Sequence, residues 1–322
     1  MFNLRTDLAI ENREIYKAAN KIEEEIPGVE AVEEKDEDIL TTKVKIKSKE
    51  GEKALKKPIG TYVTIEAPNF RYAEENEKEK LSQKIAKEIK QMLQGIVTNK
   101  DDVLVVGLGN LNVTPDALGP KVTSNIDITR HILHYAPQYI DKNARPVSAI
   151  SPGVLGTTGI ETVEILKGIV DKIKPKAIIA IDALASRRMN RISSTIQIAD
   201  TGICPGAGVG NNRKEITKDT LGIPVIAIGV PTVVEAATIA SDTIELFVNS
   251  IKKEIEESNS NDSKLSELYK LLENLQNEDK YQVIKQLLSS EENNYMVTPK
   301  EIDQIITDMS EVISQGINMA LN

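Results

Sequence analysis

Cysteine and histidine are nearly absent from this chain: Cys204, His131 and His134 are all that occur among 322 residues. A lone cysteine excludes an intramolecular disulfide framework and fits a reducing cytoplasm, with Cys204 a packing residue rather than a nucleophile. Two histidines leave little for imidazole-based chemistry. Long apolar runs are missing too. No stretch of about 18 apolar residues exists to span a membrane, and the opening MFNLRTDLAIENRE has no apolar segment of the kind that a signal peptide needs. The chain is therefore expected to remain, soluble and cytoplasmic, in the compartment where it is made, with no membrane partner. Positive charge is also in deficit. Forty Lys and Arg against 49 Asp and Glu give a net charge of −9, which opposes the phosphate neutralisation that direct nucleic-acid binding requires.

What is present is a core. Hydrophobic residues make up 40% of the chain, enough to fill one large domain or two modest ones. Residues up to about 100 are rich in charge: a helix is expected near 11–25, an acidic stretch covers 33–38, strand-like alternation marks 42–48 and 61–66, and a helix is expected at 75–95. The texture then changes. VLVVGLG at 103–109, RPVSAISPG at 145–153, AIIAIDALA at 177–185 and IPVIAIGVP at 223–231 are apolar runs separated by helical patterns. Continuous Val/Ile/Ala runs are strands buried on both faces, and parallel strands need helices to connect them. The expected fold class is α/β, a three-layer α/β/α sandwich spanning 101–250, with an N-terminal α+β appendage over 8–100 and a helical region over 251–322. The polar stretch EESNSNDSK at 256–264 reads as a linker, and Thr298, Pro299 and Glu301 read as a capping box opening the last helix.

One stretch poses a chemical question. VLVVGLGNLNVTPDALGP at 103–120 begins like a nucleotide-binding strand and turn, but Asn112 stands where a dinucleotide fingerprint needs its third glycine. What remains is a carboxylate, Asp116, on a loop bounded by Pro115, Gly119 and Pro120 at the C-terminal end of a strand. Ligands bind at that edge of an open α/β sheet. A second carboxylate, Asp182, interrupts AIIAIDALA, where an ionisable group is costly unless it is paired or lies at the strand's end. Either aspartate alone reads equally as the cap of a following helix. Together they suggest an acid pair: two neighbouring carboxylates cannot both ionise easily, so one keeps a proton while the other acts as base. Such a pair needs neither cofactor nor metal.

Longer blocks carry a resemblance. GLGNLNVTPDALGP at 107–120, RPVSAISPGVLGTTGIET at 145–162, IAIDALASR at 179–187, STIQIADTGICPGAGVGNNRKE at 194–215, TLGIPVIAIGVPTVVEAATI at 220–239 and MVTPKEID at 296–303 resemble the germination protease (spore protease) family of spore-forming bacteria, from about residue 4 to the C-terminus. The resemblance implies a fold like that of the hydrogenase-maturation endopeptidases. It also implies an aspartic endopeptidase whose essential residues are Asp116 and Asp182, active in the forespore and spore core on small acid-soluble spore proteins. Homotetramers are implied as well. So is synthesis as a zymogen that cuts itself between Asp7 and Leu8 in RTDLAIE, releasing residues 1–7 as a propeptide. Without the resemblance, Asp7 reads as an ordinary helix cap.

Competing readings follow from the same residues. A metal-dependent maturation endopeptidase would enlist His131 or His134 beside the carboxylates, and a non-catalytic α/β protein would use the loop at 107–120 to hold a small ligand. Asp200-Thr201-Gly202 repeats the DTG of two-lobed aspartic proteases. It occurs here once, in α/β surroundings, and is read as coincidental. CPGAGVGNN at 204–212 is either an active-site loop or a packing turn.

Overall fold

The apolar runs become the centre of one sheet in the computed structural model, which describes residues 6–141, 143–206, 213–258, 284 and 295–322. Its strands are β1 (Val29–Asp36), β2 (Ile39–Ile46), β3 (Gly60–Glu66), β4 (Val103–Gly107), β5 (Val147–Ile150), β6 (Ala177–Ser186), β7 (Thr195–Ala199), β8 (Val225–Glu235) and β9 (Met296–Val297). They lie side by side in the order β1-β2-β3-β7-β8-β6-β4-β5, with β9 on the far end of β8. From β8 to β5 the pairing is parallel; β1, β2, β3 and β7 join antiparallel.

Alternate residues of the parallel strands feed two cores. Val103, Val105, Ile179 and Ile181 face the helices Glu75–Leu93, Leu118–Ser124 and Ile302–Leu321. Leu104, Val106, Ile178 and Ala180 face the helix Thr162–Ile173 on the other side. Both faces of these parallel strands are therefore dry, which is why they read as continuous apolar runs. The result is the expected α/β/α sandwich.

Three features differ from the sequence reading. β7 pairs with β3 on one side and β8 on the other, so the N-terminal strands extend the core sheet instead of forming a sheet of their own. The acidic stretch at 33–38 falls largely within β1, an edge strand whose side chains from Ala31 onward are mostly exposed; charge on a solvated edge discourages strand addition. Finally, the last helix starts at Ile302 with no side-chain cap, and the Thr298 hydroxyl instead donates to the Thr232 carbonyl at 2.9 Å. Of the polar stretch 256–264, residues 256–258 end the helix Ala236–Ser258, which crosses the expected boundary at 250, and 259–264 lie outside the described residues. The apolar face of Ile302–Leu321 is filled by the helices Glu75–Leu93 and Leu118–Ser124 of the same chain.

Candidate active site

Asp116 is held where β4 ends. The chain turns at Gly109, whose φ of +112° suits glycine, and a Cβ there would lie 2.1 Å from the Asp116 carbonyl oxygen. A single turn of 3-10 helix, Thr114–Asp116, then brings the carboxylate back over the turn, where its Oδ2 accepts from the Asn110 N–H at 2.8 Å. Gly119 permits the loop to sit down on the sheet: a Cβ there would meet Leu108 O at 2.3 Å and Ile181 O at 2.7 Å. The glycines of this stretch thus serve close packing of loop against strand.

Asp182 is the first residue of β6 beyond the reach of β4, since the last pair between those strands is Gly107 with Ile181. Its side chain is only 4% exposed, and its Oδ1 accepts from the Ala183 N–H at 2.9 Å. It does not cap a helix, because β6 continues to Ser186. Asp116 and Asp182 line one cleft of about 390 Å³. Burial holds the Asp182 carboxyl well above the usual carboxylate range, and the charges of Asp116 and Asp7 push it further in the same direction. Burial also raises Asp116, opposed by its hydrogen bond from Asn110. The deeper carboxyl is thus the harder of the two to ionise.

The chain's own N-terminal segment is laid into this cleft. Asp7 lines it together with the two aspartates. At the register shift of β6 between Leu184 and Ala185, the Asp7 N–H donates to the Ala185 carbonyl at 3.0 Å and the Ala185 N–H donates to Asp7 Oδ2 at 2.9 Å. Leu8 is fully buried against Leu184 and Ile203. The helix Ala9–Asn20 has Leu8, not Asp7, at its N-cap position, so the Asp7 carboxylate is used for docking rather than capping.

Two anchors of this segment escaped the sequence reading. Gln197 of β7 accepts from the Ala9 N–H through Oε1 at 2.7 Å and donates from Nε2 to the Asp7 carbonyl at 3.2 Å. Glu11 is 1% exposed and accepts from the Arg187 and Arg188 N–H groups at 2.7 and 3.0 Å. The alternation in TIQIA marks a strand, and its central glutamine is the polar residue amid apolar neighbours that could have drawn attention.

Other candidates lie elsewhere or do other work. His131 and His134 are exposed on the short helix Arg130–Tyr135 and do not line the cleft. Among the described residues no group of three or more His, Cys, Asp or Glu is arranged to hold a metal ion. Asp200 ties the end of β7 to the start of β3: its Oδ1 accepts from the Thr61 N–H at 2.7 Å. Replacing it by Asn keeps an acceptor for that N–H and loses only the charge, so it should cost at most about 1 kcal/mol of stability, the difference between a charged and a neutral hydrogen bond, and leave cleavage within about tenfold of wild type. Thermal unfolding and a peptide assay on the same preparation check this; total loss of cleavage in a folded protein would give the DTG a catalytic part. Cys204 is half-buried and lines the cleft, but burial, Glu215 and Asp7 push its thiol up, so it stays protonated and a poor nucleophile. Of the loop 204–212, residues 207–212 lie outside the described residues.

A cleft at the end of a parallel sheet, with one buried and one half-buried carboxyl in it and a peptide docked alongside them, is an arrangement that suits a peptidase. Comparison with known proteins agrees. The family model for germination proteases matches residues 9–273 and 261–322. A germination protease of Caldanaerobacter subterraneus subsp. tengcongensis is 54% identical, covering 100% of this chain and 95% of that protein. One from Clostridium perfringens strain SM101 is 49% identical over 100% and 96%, and one from Bacillus thuringiensis subsp. konkukian is 44% identical over 100% and 94%. A solved [NiFe] hydrogenase maturation protease, HycI from Thermococcus kodakarensis KOD1, is similar over 45% of this chain and 80% of that one, at 17% identity and a TM-score of 0.28. The chain belongs to the germination protease family.

Proposed function

We propose that this peptidase is of the aspartic type, is made as a zymogen, and begins the breakdown of small acid-soluble spore proteins during germination in the spore core. The observation that supports this reading best is that Asp116 and Asp182 line the same cleft as Asp7, the residue on the N-terminal side of the proposed cut. Asp116, the more exposed carboxyl, takes a proton from water. The water oxygen attacks the carbonyl carbon of the acidic residue before the cut, and Asp182 passes its proton to the departing nitrogen. The products are a carboxyl and an amine; the proton taken up by Asp116 then resets the pair.

In this reading residues 1–7 are the propeptide, 8–100 a region packed on the core, 101–250 the catalytic unit and 251–322 a helical region. The Asp7–Leu8 peptide is already docked, so the first cut is intramolecular. A homotetramer is part of the proposal on family resemblance alone, since the last helix finds its packing partners within the chain.

Mature protein incubated with a small acid-soluble spore protein should cut it after acidic residues, at a rate unchanged by EDTA. The expectation rests on a donor set of carboxylates without imidazole, a poor match for the transition metals that hydrolases favour. Loss of cleavage in EDTA, restored by one divalent ion, would replace the aspartic mechanism with a metal-assisted one; failure to cut the spore protein in either condition would remove the substrate.

A further inference from the structure

Gln197 has no place in the acid–base mechanism, yet it is the side chain that touches the peptide on both sides of Leu8. We infer that Gln197 is a further catalytic residue, whose side-chain amide grips the substrate across the scissile bond and donates to the oxyanion that forms there. The inference rests on the reading of Asp7–Leu8 as the cut, because only then is the Asp7 carbonyl the one attacked.

The sheet places Gln197 for this task. Asp182 of β6 pairs in register with Gly229 of β8, and Gly229 pairs in register with Gln197 of β7. Residues in one row across a sheet share a face, so Asp182 and Gln197 flank a glycine on the same side. Gly229 has no side chain to fill the gap; the Leu184 side chain does, lying where a Cβ on Gly229 would approach it to 2.3 Å. Leu8 packs on Leu184. The peptide therefore runs over this row with the carboxyl on one side and the amide on the other.

The orientation of the amide follows from its partners. A backbone N–H can only donate and a carbonyl can only accept, so the Ala9 N–H claims Oε1 and the Asp7 carbonyl receives Nε2–H. Gln197 is 8% exposed, and its strand is paired with Thr64 on one side and Gly229 on the other, which leaves the donor little freedom to turn away. When water adds to the Asp7 carbonyl carbon, the carbonyl oxygen takes up negative charge and the Nε2–H bond to it strengthens. When the tetrahedral centre collapses, the bond to the Leu8 nitrogen breaks, that nitrogen receives a proton, and the oxygen is a carbonyl again. A donor fixed in advance at that oxygen is worth about 10²–10³ in rate. The Leu8 N–H, meanwhile, donates to Thr6 Oγ1 at 3.1 Å, a bond that must yield as the nitrogen leaves.

The test is the first-order rate of self-processing in the full chain, followed by mass spectrometry, for wild type, Gln197→Glu and Gln197→Met. Glu keeps the acceptor for Ala9 and loses the donor; Met keeps the length and loses both without adding charge. Amide exchange over residues 6–11 reports whether the segment stays docked. Both variants are expected to process about 10²–10³ more slowly, with Gln197→Glu retaining wild-type protection of the segment. Processing of either variant at near wild-type rate overturns the inference. So does a slow Gln197→Glu that has also lost protection, which would make Gln197 a docking residue only. A wild-type cut at a position other than Leu8, visible in the product mass without any variant, would remove the reading on which the inference stands.

Discussion

Asp182→Asn is expected to lose peptide cleavage by about 10⁴-fold, the upper end of what positioned acid–base groups contribute, while raising the midpoint of thermal unfolding at neutral pH. Asp116→Asn should lose cleavage to a similar extent. Asn preserves the volume and, at position 182, still accepts from the Ala183 N–H, so neither change has reason to unfold the chain. The stability gain follows from linkage. Burial lifts the Asp182 carboxyl well above its ordinary value, helped by Asp116 and Asp7. A group whose value is raised by folding favours the folded state in acid, and that contribution is lost as pH rises through the raised value. Above it, the native protein carries a buried carboxylate beside two others. Asn is neutral throughout, so the gain should be about 1 kcal/mol, as active-site replacements commonly give. It should grow with pH and vanish in acid. Unfolding of both proteins across a pH series checks this. Cleavage by Asp182→Asn near the wild-type rate would take that residue out of the mechanism, and a variant less stable than wild type at neutral pH would show that Asp182 is not held at a cost.

The carboxyl pair of the cleft was legible because one of its members sits in an apolar strand. Asp182 is the only charge in AIIAIDALA, and an ionised group in an otherwise apolar strand must have a reason to be there. Asp116 was marked by prolines and glycines around it, and the structure gives those glycines their cause in the contacts of Gly109 and Gly119 with neighbouring backbone. The parallel strands were legible for the complementary reason, since dry faces on both sides give short runs rich in Val and Ile, and their length and flanking glycines and prolines separate them from buried helices.

What escaped was everything decided by long-range pairing. β7 is five residues long and sits between β3 and β8, and nothing local says that the N-terminal hairpin will join the core through it. Gln197 and Glu11 look like ordinary polar residues in sequence; their importance comes from meeting across separations of 188 and 176 residues. Thr298, Pro299 and Glu301 had the letters of a capping box, but the Thr298 hydroxyl was claimed by the Thr232 carbonyl once β9 had paired with β8. A tertiary hydrogen bond outcompeted a local one.

Asp7→Lys should slow self-processing by about 100-fold or more and leave cleavage of added substrate by mature protein untouched, while Asp7→Asn should stay within about tenfold of wild type. The Asp7 carboxylate accepts from the Ala185 N–H. Asn can do the same, whereas Lys has no acceptor and leaves that N–H without its partner. Lys would also set a positive charge beside Asp182, stabilising its ionised form and drawing off the proton that the leaving nitrogen needs. The product of wild-type processing should begin at Leu8. Residues 8–14 are expected to stay in place afterwards, since Leu8 is buried and Arg191 holds Glu11 at 3.5 Å and Glu14 at 2.7 Å. Release of residues 1–7 then empties the cleft of Asp7 without disturbing the fold. The rate should rise as pH falls below neutral. At high pH Asp116 and Asp182 are both ionised and no proton is available; as pH drops through the raised value of Asp182, the singly protonated pair forms and can act as acid and base at once. In stronger acid, protonation of Asp116 removes the base and the rate should fall again. Mass spectrometry of the precursor across a pH series decides the matter: a rate that climbs with pH, or an Asp7→Lys precursor that processes normally, would show that the propeptide is not held and cut in this way.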